Sequence, residues 1–233
     1  MSHALLLDLD DTLLRNSMED FLPRYFSALM EAVSHLVPPQ EFLRALHHST
    51  QRMMVNTDPS RTNAEVFWYE FEPMVMVERG AIEPVIDRFY EETFATLAGE
   101  AEPVEGAQAL IAAAKQAGWK VAVATNPVFP LRAIQHRIEW AGLDESQFDF
   151  ITSYENMTCT KPHPEYFAQI ADALGVPYEA CVMVGNHLSN DIVGAAELGM
   201  QTFWVTTAAI DDADVTPDAQ GSLDDLRQWL FGP

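Results

Sequence analysis

The stretch Leu5-Leu6-Leu7-Asp8-Leu9-Asp10-Asp11-Thr12-Leu13-Leu14 constrains this chain most, because an apolar run breaks there into three carboxylates within four residues. An ionised carboxylate in a hydrophobic layer is costly unless it is paired or metal-bound. The pattern predicts a strand from Ala4 to Asp8 whose C-terminal tip carries Asp8, with Asp10 in the turn that follows. Open α/β sheets bind ligands just outside the carboxyl ends of their strands. Side chains at i and i+2 leave an extended chain on the same side, about 6–7 Å apart. Asp8 and Asp10 are therefore placed to flank one small reacting group, while Leu9 points back into the core. A hard divalent cation with oxygen ligands, most simply Mg²⁺, would balance the charge. One carboxylate could then attack while the other moves a proton. A solvated acidic turn would use the same residues, and this stretch alone does not separate the two readings.

Composition narrows the classes. The 233 residues suffice for one large domain or a core plus a smaller one. A net charge of −22, from 35 acidic against 13 basic residues, speaks against nucleic acid and anionic membranes as partners, since no basic patch supplies phosphate contacts. Only three lysines occur, Lys115, Lys120 and Lys161, so each invites a specific role. Cys159 and Cys181 are the only cysteines, and their lack of pattern reads as reduced thiols. The predicted strand begins within a few residues of Met1 and no apolar run approaches the roughly 18–20 residues of a membrane span. A soluble, cytoplasmic protein is expected, either monomer or homodimer.

From Arg15 to about Gly99 the sequence reads as helices without a strand. Phe21, Tyr25, Phe26, Leu29, Val33 and Leu36 recur at helical spacing up to Pro38-Pro39. A second helix is predicted over 40–54, a third after the capping loop 57–63, and a fourth over 82–97. From Pro103 the chain alternates. Helices are predicted over 106–117, 132–141, 164–174, 189–198 and 223–230, and strands over 120–126, 148–152, 180–185 and 201–205. Continuous apolar strands between helices imply a parallel sheet covered on both faces, an α/β core. The helical stretch 15–99 is then an insertion after the first strand, with residues 1–14 and 100–233 forming the core.

Three further strand ends or loops collect chemistry. Thr125 and Asn126, in Ala124-Thr125-Asn126-Pro127, close the second predicted strand; the Thr125 hydroxyl and nearby backbone N–H groups suit a phosphate or carboxylate oxygen. Lys161 lies in Thr160-Lys161-Pro162-His163-Pro164, where two prolines stiffen the loop around a cation. Asp191, in Gly185-Asn186-His187-Leu188-Ser189-Asn190-Asp191, is placed to reach a metal at the same edge.

Taken together these segments resemble the haloacid dehalogenase superfamily, most of whose members are Mg²⁺-dependent phosphatases. Asp8-Leu9-Asp10-Asp11-Thr12 matches its DxDxT motif, Thr125 the second motif, Lys161-Pro162 the third, and Gly185 to Asp191 the fourth. The helical insertion matches the family's cap in position. The resemblance implies a Rossmann-like core and a set of roles. Asp8 would attack phosphorus to give an aspartyl-phosphate, and Asp10 would protonate the leaving group and then activate water. Thr125 and Lys161 would hold phosphoryl oxygens, and Mg²⁺ would bind Asp8, the Asp10 carbonyl, Asn186 and Asp191. Asn186 stands where the family commonly has aspartate, which predicts weaker metal binding. Arg15, just past the first motif, is a further expected contact to a small phosphorylated substrate. Two other functions use the same frame. A 2-haloacid dehalogenase would attack carbon without metal and has no need of Asp10; a catalytically weak phosphate-ester-binding regulator would be consistent with Asn186.

Overall fold

The structure is a computed structural model that describes residues 2–206 and 213–232. Its sheet holds six parallel strands: β1 (Ala4–Leu7), β4 (Lys120–Val123), β5 (Phe150–Ile151), β6 (Cys181–Gly185), β7 (Gln201–Val205) and β8 (Ala219–Gly221). Two short segments, β2 (Leu14–Arg15) and β3 (Glu102–Pro103), pair separately as an antiparallel ribbon. The sheet order is β5-β4-β1-β6-β7-β8, so the chain builds outward from β1 in one direction and then in the other. That reversal opens a crevice beyond the carboxyl ends of β4, β1 and β6.

Strand residues alternate between two cores, as a period of two requires. Leu5, Leu7, Val121, Val123, Val182 and Val184 pack on one face beneath α5 (Ala107–Gln116), α6 (Leu131–Trp140) and α9 (Leu223–Phe231). Leu6, Ala122, Ala124 and Met183 face α7 (Pro164–Leu174) and α8 (Val193–Glu197). The expected Rossmann-like α/β core is present.

Between the two strands of the ribbon runs the helical stretch, with a third hydrophobic cluster. It contains α1 (Met18–Val33), α2 (Pro39–Met54), α3 (Asn63–Val75) and α4 (Arg79–Arg88). The single helix expected over 82–97 is instead α4, a π-helical turn (Phe89–Thr93) and a 3₁₀ turn (Phe94–Leu97). The wider turn brings Phe89, Tyr90 and Phe94 into one buried cluster, which uninterrupted α-geometry would spread around the helix. β2, β3 and β8 are further departures from expectation: each is two or three residues long and lacks an apolar run. Predicted strand 120–126 stops at Val123, because Thr125 and Asn126 turn into the crevice.

Candidate active site

Asp8 is the first residue past β1, tied to β6 by its N–H to the Val184 carbonyl at 2.9 Å. Leu9 is fully buried and anchors the turn, its carbonyl accepting from Leu13 N–H at 2.9 Å. Asp11 takes the left-handed conformation at φ 54°, which aspartate tolerates better than most residues. The reversal brings Asn16 back to the carboxylates: its N–H donates to Asp11 Oδ1 and its Nδ2 to Asp10 Oδ1, both at 3.2 Å. Burial pushes the Asp11 carboxyl up, partly offset by that Asn16 N–H.

The other segments meet the first at the crevice. Thr125 is buried, and its carbonyl accepts from Thr152 Oγ1 at 2.8 Å and Tyr166 Oη at 2.7 Å, which fixes the backbone after β4. Lys161, in a loop whose Lys161–Pro162 peptide is cis, donates from Nζ to Asp8 Oδ1 at 2.7 Å and Asp191 Oδ1 at 2.6 Å. Burial opposes the lysine's charge, but Asp191 and Asp8 outweigh it and hold its pKa well above the usual value. Asp191 lies in a π-helical turn (Leu188–Ile192), and its Oδ2 accepts from His187 N–H at 2.9 Å. Burial raises its pKa against the pull of Lys161.

Two glycines make these approaches possible. A Cβ on Gly185 would lie 2.2 Å from Asp191 Oδ2, and one on Gly194 would lie 2.1 Å from the Pro162 carbonyl. Asn186, between them in the chain, accepts from Thr12 Oγ1 at 3.5 Å, which links the first and fourth segments.

The resulting recess, about 250 Å³, is lined by Asp8, Asp10, Asp11, Thr125, Asn126, Lys161, Asn186 and Asp191 among others. Arg15 is the predicted site residue that does not join them. Its side chain is 70 % exposed and faces Glu102 at 3.7 Å across the β2–β3 ribbon, because that ribbon turns position 15 outward. Another cation takes its place. Arg137 of α6 is 1 % exposed, with its Nη2 against Asp10 Oδ2 and its guanidinium 5.5 Å from the Phe129 ring centroid. Burial lowers its pKa to about 10, with Asp8 pulling the other way, so it is charged at neutral pH. Sequence reasoning missed Arg137 and Met18. Arg137 carried a signal, since it falls at helical spacing within the stripe Ala133, Ile134, Ile138 and Ala141.

The donor set fits a hard cation. Asp8, Asp191, the Asn186 amide and the Asp10 carbonyl all offer oxygen, the ligand type that Mg²⁺ takes. Asp8, Asp10, Asp11 and Asp191, when ionised, outnumber Lys161 and Arg137 by two charges, the charge of one such ion. Among the described residues no cluster of three or more His, Cys, Asp or Glu side chains is arranged for a metal, so the amide and the main chain would have to contribute.

The four segments meet at one edge of a parallel sheet, and comparison with known proteins identifies the family. The chain belongs to the haloacid dehalogenase-like hydrolases, whose family model matches residues 3–199. It is similar to a phosphoserine phosphatase of Thermus thermophilus, at 27 % identity over 96 % of each chain. It is also similar to pyrophosphatase PpaX of Halalkalibacterium halodurans, at 32 % identity over 43 % of this chain, a match spanning under half (45 %) of that relative. A solved 2-haloacid dehalogenase of Pseudomonas syringae shares the fold with TM-score 0.65, at 21 % identity, covering 99 % of this chain and 98 % of its own.

Proposed function

We propose that this protein is a Mg²⁺-dependent phosphatase that hydrolyses phosphate monoesters through an aspartyl-phosphate on Asp8. One observation carries the reading: Asp8, Asp10, Thr125, Lys161, Asn186 and Asp191 line a single recess although they come from four separate segments. A carboxylate oxygen of Asp8 forms a bond to phosphorus as the ester P–O bond breaks, and Asp10, protonated once the anionic substrate is bound, gives its proton to the departing alkoxide. Water then attacks the phosphorus and gives a proton to Asp10, and the bond to Asp8 breaks to release phosphate. Lys161, 2.7 Å from Asp8, offsets charge on the nucleophile and on the phosphoryl oxygens. Thr125 and Asn126 hold those oxygens from the end of the neighbouring strand β4. Mg²⁺, bound by the oxygen set described above, would supply charge neutralisation between Asp8 and the phosphoryl group.

Residues 15–99 would act as a cap over this recess, entered and left through the β2–β3 ribbon. The 2-haloacid dehalogenase alternative is disfavoured by Asp10, which both Asn16 and Arg137 hold in the recess although carbon attack has no use for it. Phosphate release from an aryl phosphate, titrated with Mg²⁺ beside Asp8→Asn, tests the proposal. Saturable release that the variant abolishes is expected; halide release from a 2-haloacid without metal would overturn it.

A further inference from the structure

The polar recess adjoins a larger space. A cavity of about 480 Å³ lies between α1, α2 and α3 and the core loop that follows Thr125. Two walls run from one into the other. Along α1, Met18 borders the recess, while Leu22 and Tyr25 further along the helix border the cavity. Four residues of helix advance only about 6 Å. Along the loop, Asn126 borders the recess while Val128 and Phe129 border the cavity, and the Val128 N–H donates to the Asn126 carbonyl at 2.8 Å. That hydrogen bond closes a tight turn, so the residue bordering the recess and those bordering the cavity are two to three positions apart in the chain.

The cavity wall is hydrocarbon and aromatic ring, with Phe26, Leu46 and Trp68 opposite Phe129. Tyr25, Tyr90 and Tyr154 bring hydroxyls to it and Trp68 its Nε1, the first two hydroxyls being hydrogen-bonded to each other at 2.7 Å. Other polar groups, His47, Thr50 and Gln51, sit together on α2.

We infer that this cavity receives the alcohol part of the substrate and that the alcohol is apolar. The substrate class is an alkyl or aryl monophosphate, with phosphorus at Asp8 and hydrocarbon against Leu22, Phe129 and Trp68. The inference rests on the phosphatase reading above. A sugar phosphate would carry several hydroxyls into this wall, and each would give up water for few partners. A hydrocarbon chain gains there about fourfold in affinity per methylene, equivalent to about 0.8 kcal/mol. Cavities of about 300–1,000 Å³ enclose most of a small ligand, so an ester of several carbons fits.

The test uses two matched series on the full chain with Mg²⁺. Straight-chain alkylphosphonates, which lack a hydrolysable ester, are titrated by calorimetry; the corresponding alkyl monophosphates and a hexose phosphate are assayed for phosphate release. Affinity is expected to rise two- to fourfold per methylene until the cavity fills, and kcat/KM to rise with it. The hexose phosphate is expected to fall at least a hundredfold below the best alkyl ester. Leu46→Trp and, one turn on, Thr50→Trp plug the cavity and should flatten both series while turnover of methyl phosphate persists. Phosphate release that ignores chain length, or a preferred hexose phosphate, overturns the inference and leaves the phosphatase intact. Phosphonate affinity that climbs with chain length while no ester is hydrolysed overturns the phosphatase reading instead. Should both plugged variants fail to fold, the wild-type chain-length series decides.

Discussion

Arg137 is the residue whose placement carries most consequence. A guanidinium with 1 % exposure is stable only against compensating charge, and that charge is Asp10 with Asp8 close behind. Held between Arg137 and Asn16, Asp10 has both oxygens engaged, which sets its orientation before substrate arrives. Arg137→Met should therefore lower kcat ten- to a hundredfold, the order expected when a reacting group loses its position. It should also destabilise the fold by leaving a carboxylate without its partner. Adding Asp10→Asn removes that charge, so the double variant is expected to regain about 1–3 kcal/mol in a denaturant double-mutant cycle. A coupling energy near zero would show that the two side chains act independently. Asn186 offers the complementary test, because its amide brings oxygen without charge to the proposed ligand set. Asn186→Asp is expected to lower the Mg²⁺ concentration for half-maximal activity; an unchanged metal dependence would remove Asn186 from that set.

At the scale of elements, what was legible depended on whether a residue's partner lay near it in sequence or across the fold. The strand ends that carry Asp8, Thr125 and Gly185 follow apolar runs that can only be buried strands, and the chemistry begins where hydrophobicity stops. Asn63 was illegible as a joint residue because its partners lie 64 positions away or more, and the apolar stripe that marks Arg137 as a buried cation says nothing of its partner Asp10, 127 positions away. Arg15 lies outside the recess for the converse reason: closeness to the Asp8–Thr12 turn in sequence says nothing of a ribbon formed with Glu102. Asn63, at the start of α3, shows what such a joint does. Its Nδ2 donates to the carbonyls of Pro127 at 3.2 Å and Cys159 at 3.3 Å, while the Thr62–Glu65 capping box fixes the helix start around it. Asn56 Nδ2 and Thr160 Oγ1 add bonds across the same seam, to Thr158 and Met54 carbonyls. Asn63→Ala should cost about 1–3 kcal/mol, since two buried carbonyls lose their donor, and should speed amide exchange in the loop that carries Lys161. Unchanged exchange there would mean that the other bonds hold the seam alone.

Lys115 and Lys120, singled out only by scarcity, serve the sheet edge rather than the recess. Both donate to Asp149, at 2.6 and 3.2 Å, and its Oδ2 also accepts from Val121 N–H at 2.9 Å, so α5, β4 and the approach to β5 share one carboxylate. Burial raises the Asp149 pKa, but Lys115, the Val121 N–H and Lys120 outweigh it and leave it below the usual value. A carboxyl depressed in the folded state contributes stability above its unfolded pKa, about 3.9, and loses it as pH falls through the folded value. Asp149→Asn should therefore cost about 1 kcal/mol at pH 7, a figure kept low by the partial exposure of the pair, and nothing near pH 2. A cost that persists at that pH would assign the effect to the Val121 hydrogen bond alone.

The whole molecule carries −22 charges, and its few cations are largely spent on acidic partners: Arg79 on Glu83, Arg132 on Glu91, Arg52 on Glu70, Lys161 and Arg137 in the recess. The unpaired acidic surplus repels itself across the surface and opposes compaction. Salt shortens the reach of that repulsion from about 30 Å at 0.01 M to about 3 Å at 1 M, whereas buried pairs are screened much less. The melting temperature should therefore rise steadily with NaCl. Mg²⁺ added at constant high NaCl separates the recess from the surface, because general screening is already complete there. A site that binds only the folded chain adds about 2.7 kcal/mol at a hundred times its dissociation constant, roughly 5–11 °C for a protein of this size. That increment should saturate, and Asp191→Asn should abolish it without altering the NaCl series. A rise with Mg²⁺ that never saturates, or that survives Asp191→Asn, would place the ion on the acidic surface instead of between Asp8 and Asp191.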